Sequence, residues 1–202
     1  MFKKIKRKNI EWGIAIGLVC SIFLSVANFS AACEDLKSNV LRLHIIANSD
    51  TSADQNLKLM VRDEILKYSN ISFENCETLE DAKKVAKEDI EEIERIAQRK
   101  VYEQGYDYKV TVNVCESFFE TRVYDDFILP AGKYESLTVK IGEAGGHNWW
   151  CVIFPSICLP AASNASLSDT ATQKSAEIAQ NGQKYIVRFK IIEIYEKLKK
   201  FL

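Results

Sequence analysis

A cationic head followed at once by one long apolar run constrains this chain more than anything else in its sequence. Lys3, Lys4, Lys6, Arg7 and Lys8 precede Trp12-Gly-Ile-Ala-Ile-Gly-Leu-Val-Cys-Ser-Ile-Phe-Leu-Ser-Val-Ala27. Positive charge is retained on the cytoplasmic side of a membrane, so this layout sends the remainder of the chain outward. Three fates fit residues 1–32. They are a signal peptide cut after Ala32, with Ser30 and Ala32 as the small residues that the cut requires. Or they stay as an N-terminal membrane anchor, since the run approaches the ~20 residues that a spanning helix needs. Or Ser30-Ala31-Ala32-Cys33 is a lipoprotein cleavage site, with Ser30 where Leu is usual. A buried core helix would leave the five cations without a reason.

No second apolar run of this length occurs, which excludes a multi-span membrane protein. The overall charge of −1 conceals an asymmetry. Five of the 27 basic residues lie before residue 33 and only one of the 28 acidic ones, which leaves the body at −5. An acidic body argues against nucleic acid as its partner.

The body reads as α+β. Leu41, Leu43 and Ile45 alternate with Arg42 and His44, the pattern of a half-buried strand. Ser52 and Gln55 have capping-box spacing, and a helix is expected from there to about Tyr68. Asn70 to Cys76 reads as a loop. Thr78 and Asp81 open a longer helix over about 79–103, ended by Gly105. Strands follow at Tyr106–Val114, irregularly at Phe118–Tyr124, at Tyr134–Ile141 and at Trp149–Phe154, with Leu129-Pro-Ala-Gly132 as a turn. The order predicts a mainly antiparallel sheet with two helices packed on one face. It is flanked by the N-terminal membrane or signal helix and a C-terminal amphipathic helix. The exported domain is expected over 33–160. Small polar residues make 161–183 a linker. The terminal helix over 184–202 has Ile191, Ile194, Tyr195 and Leu198 on its apolar side.

Six cysteines are many for a cytosolic protein of this size. Cys151 and Cys158 bracket a turn at Pro155, close enough for a disulfide, the alternative being two buried thiols. Pairing of Cys33, Cys76 and Cys115 is not set by the sequence. His147 lies four residues before Cys151, but no nucleophile signature surrounds that cysteine. Histidines at 44 and 147, without CxxC or HExxH, make no zinc site, and Gly142-Glu-Ala-Gly-Gly-His147 lacks the Lys-Ser/Thr of a phosphate loop. The expectation is a binding or signalling domain with no catalytic residues, metal or cofactor. A secreted cysteine hydrolase and a cell-envelope lipoprotein are the alternatives.

Four segments carry a resemblance: Leu43-His-Ile-Ile-Ala-Asn-Ser-Asp50, Asp54-Gln-Asn-Leu-Lys-Leu-Met-Val-Arg-Asp63, Leu129-Pro-Ala-Gly-Lys-Tyr-Glu135, and Asn148-Trp-Trp-Cys-Val-Ile-Phe-Pro155 with Cys158. In this order they resemble the stage II sporulation protein R family of endospore-forming Firmicutes, over roughly residues 40–160. Family members often have Arg-Val-Ile-Pro where this chain has His44-Ile-Ile-Ala47. The resemblance implies a protein made in the forespore and exported into the space between the septal membranes. There it would activate a membrane-embedded aspartic protease that processes pro-sigma-E in the mother cell. The face expected to meet that partner comprises Arg42, His44, Asn48, Asp50 and Arg62, with His147, Asn148 and Trp149.

Overall fold

The computed structural model describes residues 7–124, 127–155 and 172–201. Helix α1 (Arg7–Lys37) leads into strand β1 (Leu41–Ile46), then α2 (Ser52–Ser72), α3 (Leu79–Glu88) and α4 (Ile90–Glu103). Strands β2 (Val110–Phe119), β3 (Arg122–Val123), β4 (Ile128–Leu129), β5 (Gly132–Ile141) and β6 (Asn148–Phe154) follow. Helices α5 (Gln173–Gln180) and α6 (Ile186–Phe201) close the chain, joined by a 3-10 turn at Gly182–Tyr185.

The α+β class is as expected. The main sheet has the order β2-β5-β1-β6. β5 is antiparallel to β2 and β1 is antiparallel to β6, while the central pair β1·β5 is parallel. Alternation along each strand separates two faces. Leu41, Leu43, Ile45, Leu137, Val139, Val110, Val112, Cys151 and Ile153 form the core with α2, α3 and α4. The opposite face carries Arg42 and His44, with their register partners Ser136, Thr138, Trp150 and Val152.

Several boundaries differ from the sequence reading. The long second helix breaks at Asp89, whose carboxylate accepts a hydrogen bond from Ser72 of α2; the helix restarts as α4. α2 is capped by Thr51 rather than Ser52 and runs on to Ser72. The irregular strand becomes the end of β2 plus a separate hairpin, β3–β4. The linker expected at 161–183 is helical in its described part. Ala176 and Ala179 are buried beside Leu36 and Leu129, because small side chains allow close approach. α6 docks, but through Phe189, Ile192, Glu193 and Glu196. The apolar side read from the sequence, Ile191, Ile194, Tyr195 and Leu198, is exposed.

The loop joining β5 to β6 is held against the start of α2. Gly142 has φ 57°, and a Cβ there would run into the Asn48 side chain. A Cβ on Gly146 would run into the backbone of Ser49, which cannot swing aside as a side chain could. At Gly145 a Cβ would meet Asn48 O at 3.5 Å, an ordinary contact. Gly146→Ala is therefore expected to destabilise by about 1–3 kcal/mol, and Gly145→Ala by less than about 1 kcal/mol, as measured by denaturant unfolding.

Candidate functional site

The eight residues expected on the partner face occupy three places. At one end of the sheet, the β1–α2 loop and the β5–β6 loop are laced together. Asn48 donates to Asp54 Oδ2 (2.8 Å) and accepts from the Glu143 N–H (3.0 Å). The N–H groups of Gly145 and Gly146 donate to the carbonyls of Asn48 and Ala47. Lys58 donates to the His147 carbonyl at 2.9 Å. Asp50 accepts from both the backbone N–H and the Nδ1 of His147. Asn48 is thus a structural fastener. Asp50 and His147 form an exposed pair, and hydrogen bonds from His147 hold the Asp50 carboxyl below its usual range.

Arg62 and Trp149 meet on the helix side, the guanidinium 4.4 Å from the ring centroid. Trp149 is partly buried against the α2–α4 core. Packing on one side and the Arg62 guanidinium on the other hold its ring in place.

The face away from α2–α4 holds the remaining three, Arg42, His44 and Asn148. His44 Nε2 lies 3.0 Å from Asn148 Oδ1, and its ring stacks on Trp150 at 5.7 Å. Arg122 caps the same indole at 3.9 Å. Burial lowers the pKa of His44, the Asn148 hydrogen bond opposes that, and the charges of Arg42 and Lys140 add to the lowering. Trp150 and Arg122 were missed from sequence. Alternation alone says that adjacent tryptophans face opposite ways, so Trp150 was findable once Trp149 was assigned inward. Nothing near Arg122 in the sequence marked it.

Arg42 is fully buried. Its guanidinium lies over the rings of Phe119 (4.0 Å) and Tyr134 (4.9 Å), and Nη2 donates to the Tyr124 hydroxyl at 2.7 Å. Among the described residues, Nε and Nη1 have no hydrogen-bond partner. Cation–π attraction of about 0.5–2 kcal/mol offsets only part of that desolvation. Beside it Ser136 donates to the Cys115 carbonyl (2.9 Å) and lies 2.8 Å from Ser117 Oγ. This face is a strip of aromatic rings, hydroxyls and cations on an otherwise acidic domain, suited to an aromatic or acidic partner surface.

Cys151 sits in the helix-side core with Leu43 and Ile153, whereas His147 is in the exposed loop with Asp50. The two are not presented together to a substrate. Cys158 lies outside the described residues. Cys20, Cys33, Cys76 and Cys115 are free thiols. Among the described residues, no group of three or more His, Cys, Asp or Glu is arranged to hold a metal.

A family model described as stage II sporulation protein R matches residues 37–164. The chain belongs to the stage II sporulation protein R family. It is 32% identical over 145 residues to the stage II sporulation protein R of Bacillus subtilis (strain 168), covering 72% of this chain and 65% of that relative's length. No solved structure matches the chain. The family match begins at the last residue of α1 and takes in the whole sheet with α2–α4. It leaves the apolar helix, α5 and α6 outside.

Asp54 supplies a pH test of the laced loops. Its burial opposes ionisation, but hydrogen bonds from Ser49 and Asn48 outweigh this and lower its pKa. A carboxyl depressed in the folded state adds stability above its unfolded pKa, about 3.9, and that stability is lost as pH falls through the folded value. The stability gap between the wild type and Asp54→Asn should be open at pH 7 and should close as pH falls below about 4, read from unfolding curves at each pH.

Proposed function

We propose that this chain is an exported sporulation signal. It activates a membrane-embedded aspartic protease of the septum, which then processes pro-sigma-E in the mother cell. The forespore would make it and pass it into the space between the two septal membranes. The chain would act by binding and would not itself cut. A binding partner can shift a protease toward its active state only through differential affinity for that state. The proposed contact is the strip of His44, Asn148, Trp150 and Arg122 with Arg42 beneath it, joined at its upper end by Asp50 and His147. A Cys151–Cys158 bridge fastening the end of β6 belongs to the same reading, since oxidation is permitted outside the cytosol.

One observation carries the proposal. Within a family of sporulation proteins, this chain joins an apolar helix of membrane-spanning length to a domain whose two histidines are both tied to neighbouring side chains. The hydrolase alternative is disfavoured because the Cys151 sulfur faces the helix-side core, where substrate has no access.

Two substitutions separate contact from packing. Trp150→Ala should reduce pro-sigma-E processing by at least tenfold in sporulating cells while the protein accumulates normally. Trp149→Ala should act mainly by lowering stability, because it removes the Arg62 contact and core packing. Normal processing with Trp150→Ala at wild-type abundance would remove the strip from the contact. Arg42→Met should leave stability unchanged or raised, since a buried cation with no carboxylate partner among the described residues is replaced by an apolar chain of similar length.

A further inference from the structure

α1 is one unbroken helix from Arg7 to Lys37, but its environment changes abruptly along its length. From Lys8 to Asn28 every side chain is exposed except the half-buried Ser25. The apolar run within this stretch, Trp12–Ala27, measures about 24 Å at 1.5 Å per residue, approaching the ~30 Å hydrocarbon core of a bilayer. From Phe29 onward burial starts at once and follows helical spacing: Phe29, Ala32, Cys33, Leu36 and Lys37. This is the stripe of a helix seated in a folded domain.

That seat is specific. Phe29 packs edge-on against Phe189 at 5.1 Å and stacks with Tyr185 at 5.7 Å. Ala32 and Cys33 share a buried cluster with Ile178 and Ile192. Asp35 accepts two hydrogen bonds from Thr172, the N-cap of α5, each at 3.0 Å. Lys37 and Glu196 form a buried ion pair at 3.1 Å. Arg188 lies 5.8 Å from the Phe29 ring and 5.4 Å from that of Tyr185.

We infer that the chain is retained whole, as a membrane-anchored signal whose spanning helix continues without a hinge into the domain that it carries. A cut after Ala32 would divide the buried stripe. It would remove Phe29 and Ala32 from the seat of α6 and uncover Ile178, Phe189 and Ile192, which share that buried cluster. Exposing those apolar side chains to water is unfavourable. A signal held this way cannot diffuse. It works only on a partner within reach of a rigid post, which restricts its action to the membrane that it occupies and to one closely apposed. This inference rests on the export reading above.

The test uses the full chain with a C-terminal tag, recovered from sporulating cells. Intact mass should correspond to the whole sequence, with or without the initiator Met, and the chain should resist alkaline carbonate extraction. On unsolubilised membranes N-ethylmaleimide should modify the exposed Cys115 and spare Cys33 by at least tenfold in rate. A mature chain starting at Cys33, or equal labelling of Cys33 and Cys115, would overturn the inference and leave export intact. A whole chain released by carbonate would overturn it together with the export reading.

Discussion

Strand β1 is the constraint on which the other parts depend. It is central in the sheet, hydrogen-bonded to β5 on one side and β6 on the other. Leu41, Leu43 and Ile45 are fully buried toward α2–α4, and each such burial is worth about 1.5–3 kcal/mol. A one-residue slip would send all three to the opposite face and bring Arg42 into the helix-side core. The apolar positions therefore fix the register. The register in turn places Arg42 and His44 beside Trp150, and delivers Asn48 and Asp50 to the β5–β6 loop.

That dependence explains why the sheet's two faces differ in kind. The helix side is an ordinary apolar core. The other side is only partly roofed, by the end of α1, by α5 and α6, and by the β3–β4 hairpin. Under the roof, Arg42 is held by the rings of Phe119 and Tyr134 and the Tyr124 hydroxyl; beyond it, the His44–Trp150–Arg122 stack meets solvent. The surface proposed as the contact stands on strands β1, β3 and β6, with the β1–α2 and β5–β6 loops at one end.

Local pattern made much of this legible. The period-2 alternation of β1, β5 and β6, the amphipathic stripes of α2–α4 and the apolar head are all visible in short windows. What failed depended on tertiary partners. Asp89 looks like one more solvated helix residue until Ser72 meets it. Ala176 and Ala179 look like linker until α1 lies beside them. In α6, apolar residues occur around much of the helix, so spacing alone did not say which side Phe29 would select. Of the expected contact residues, His44 and Asn148 lie together on the strip. Asn48 and Trp149 proved to be holding the fold, because hydrogen-bonding capacity and aromatic bulk serve packing as well as binding.

The central claim is that the chain works by occupying a surface of another protein. It is tested most directly by expressing pro-sigma-E in a non-sporulating cell with the chain, with the septal protease, or with both. The account predicts cleavage only when both are present, abolished by changing the protease's catalytic aspartates. Cleavage by the chain without the protease would contradict it.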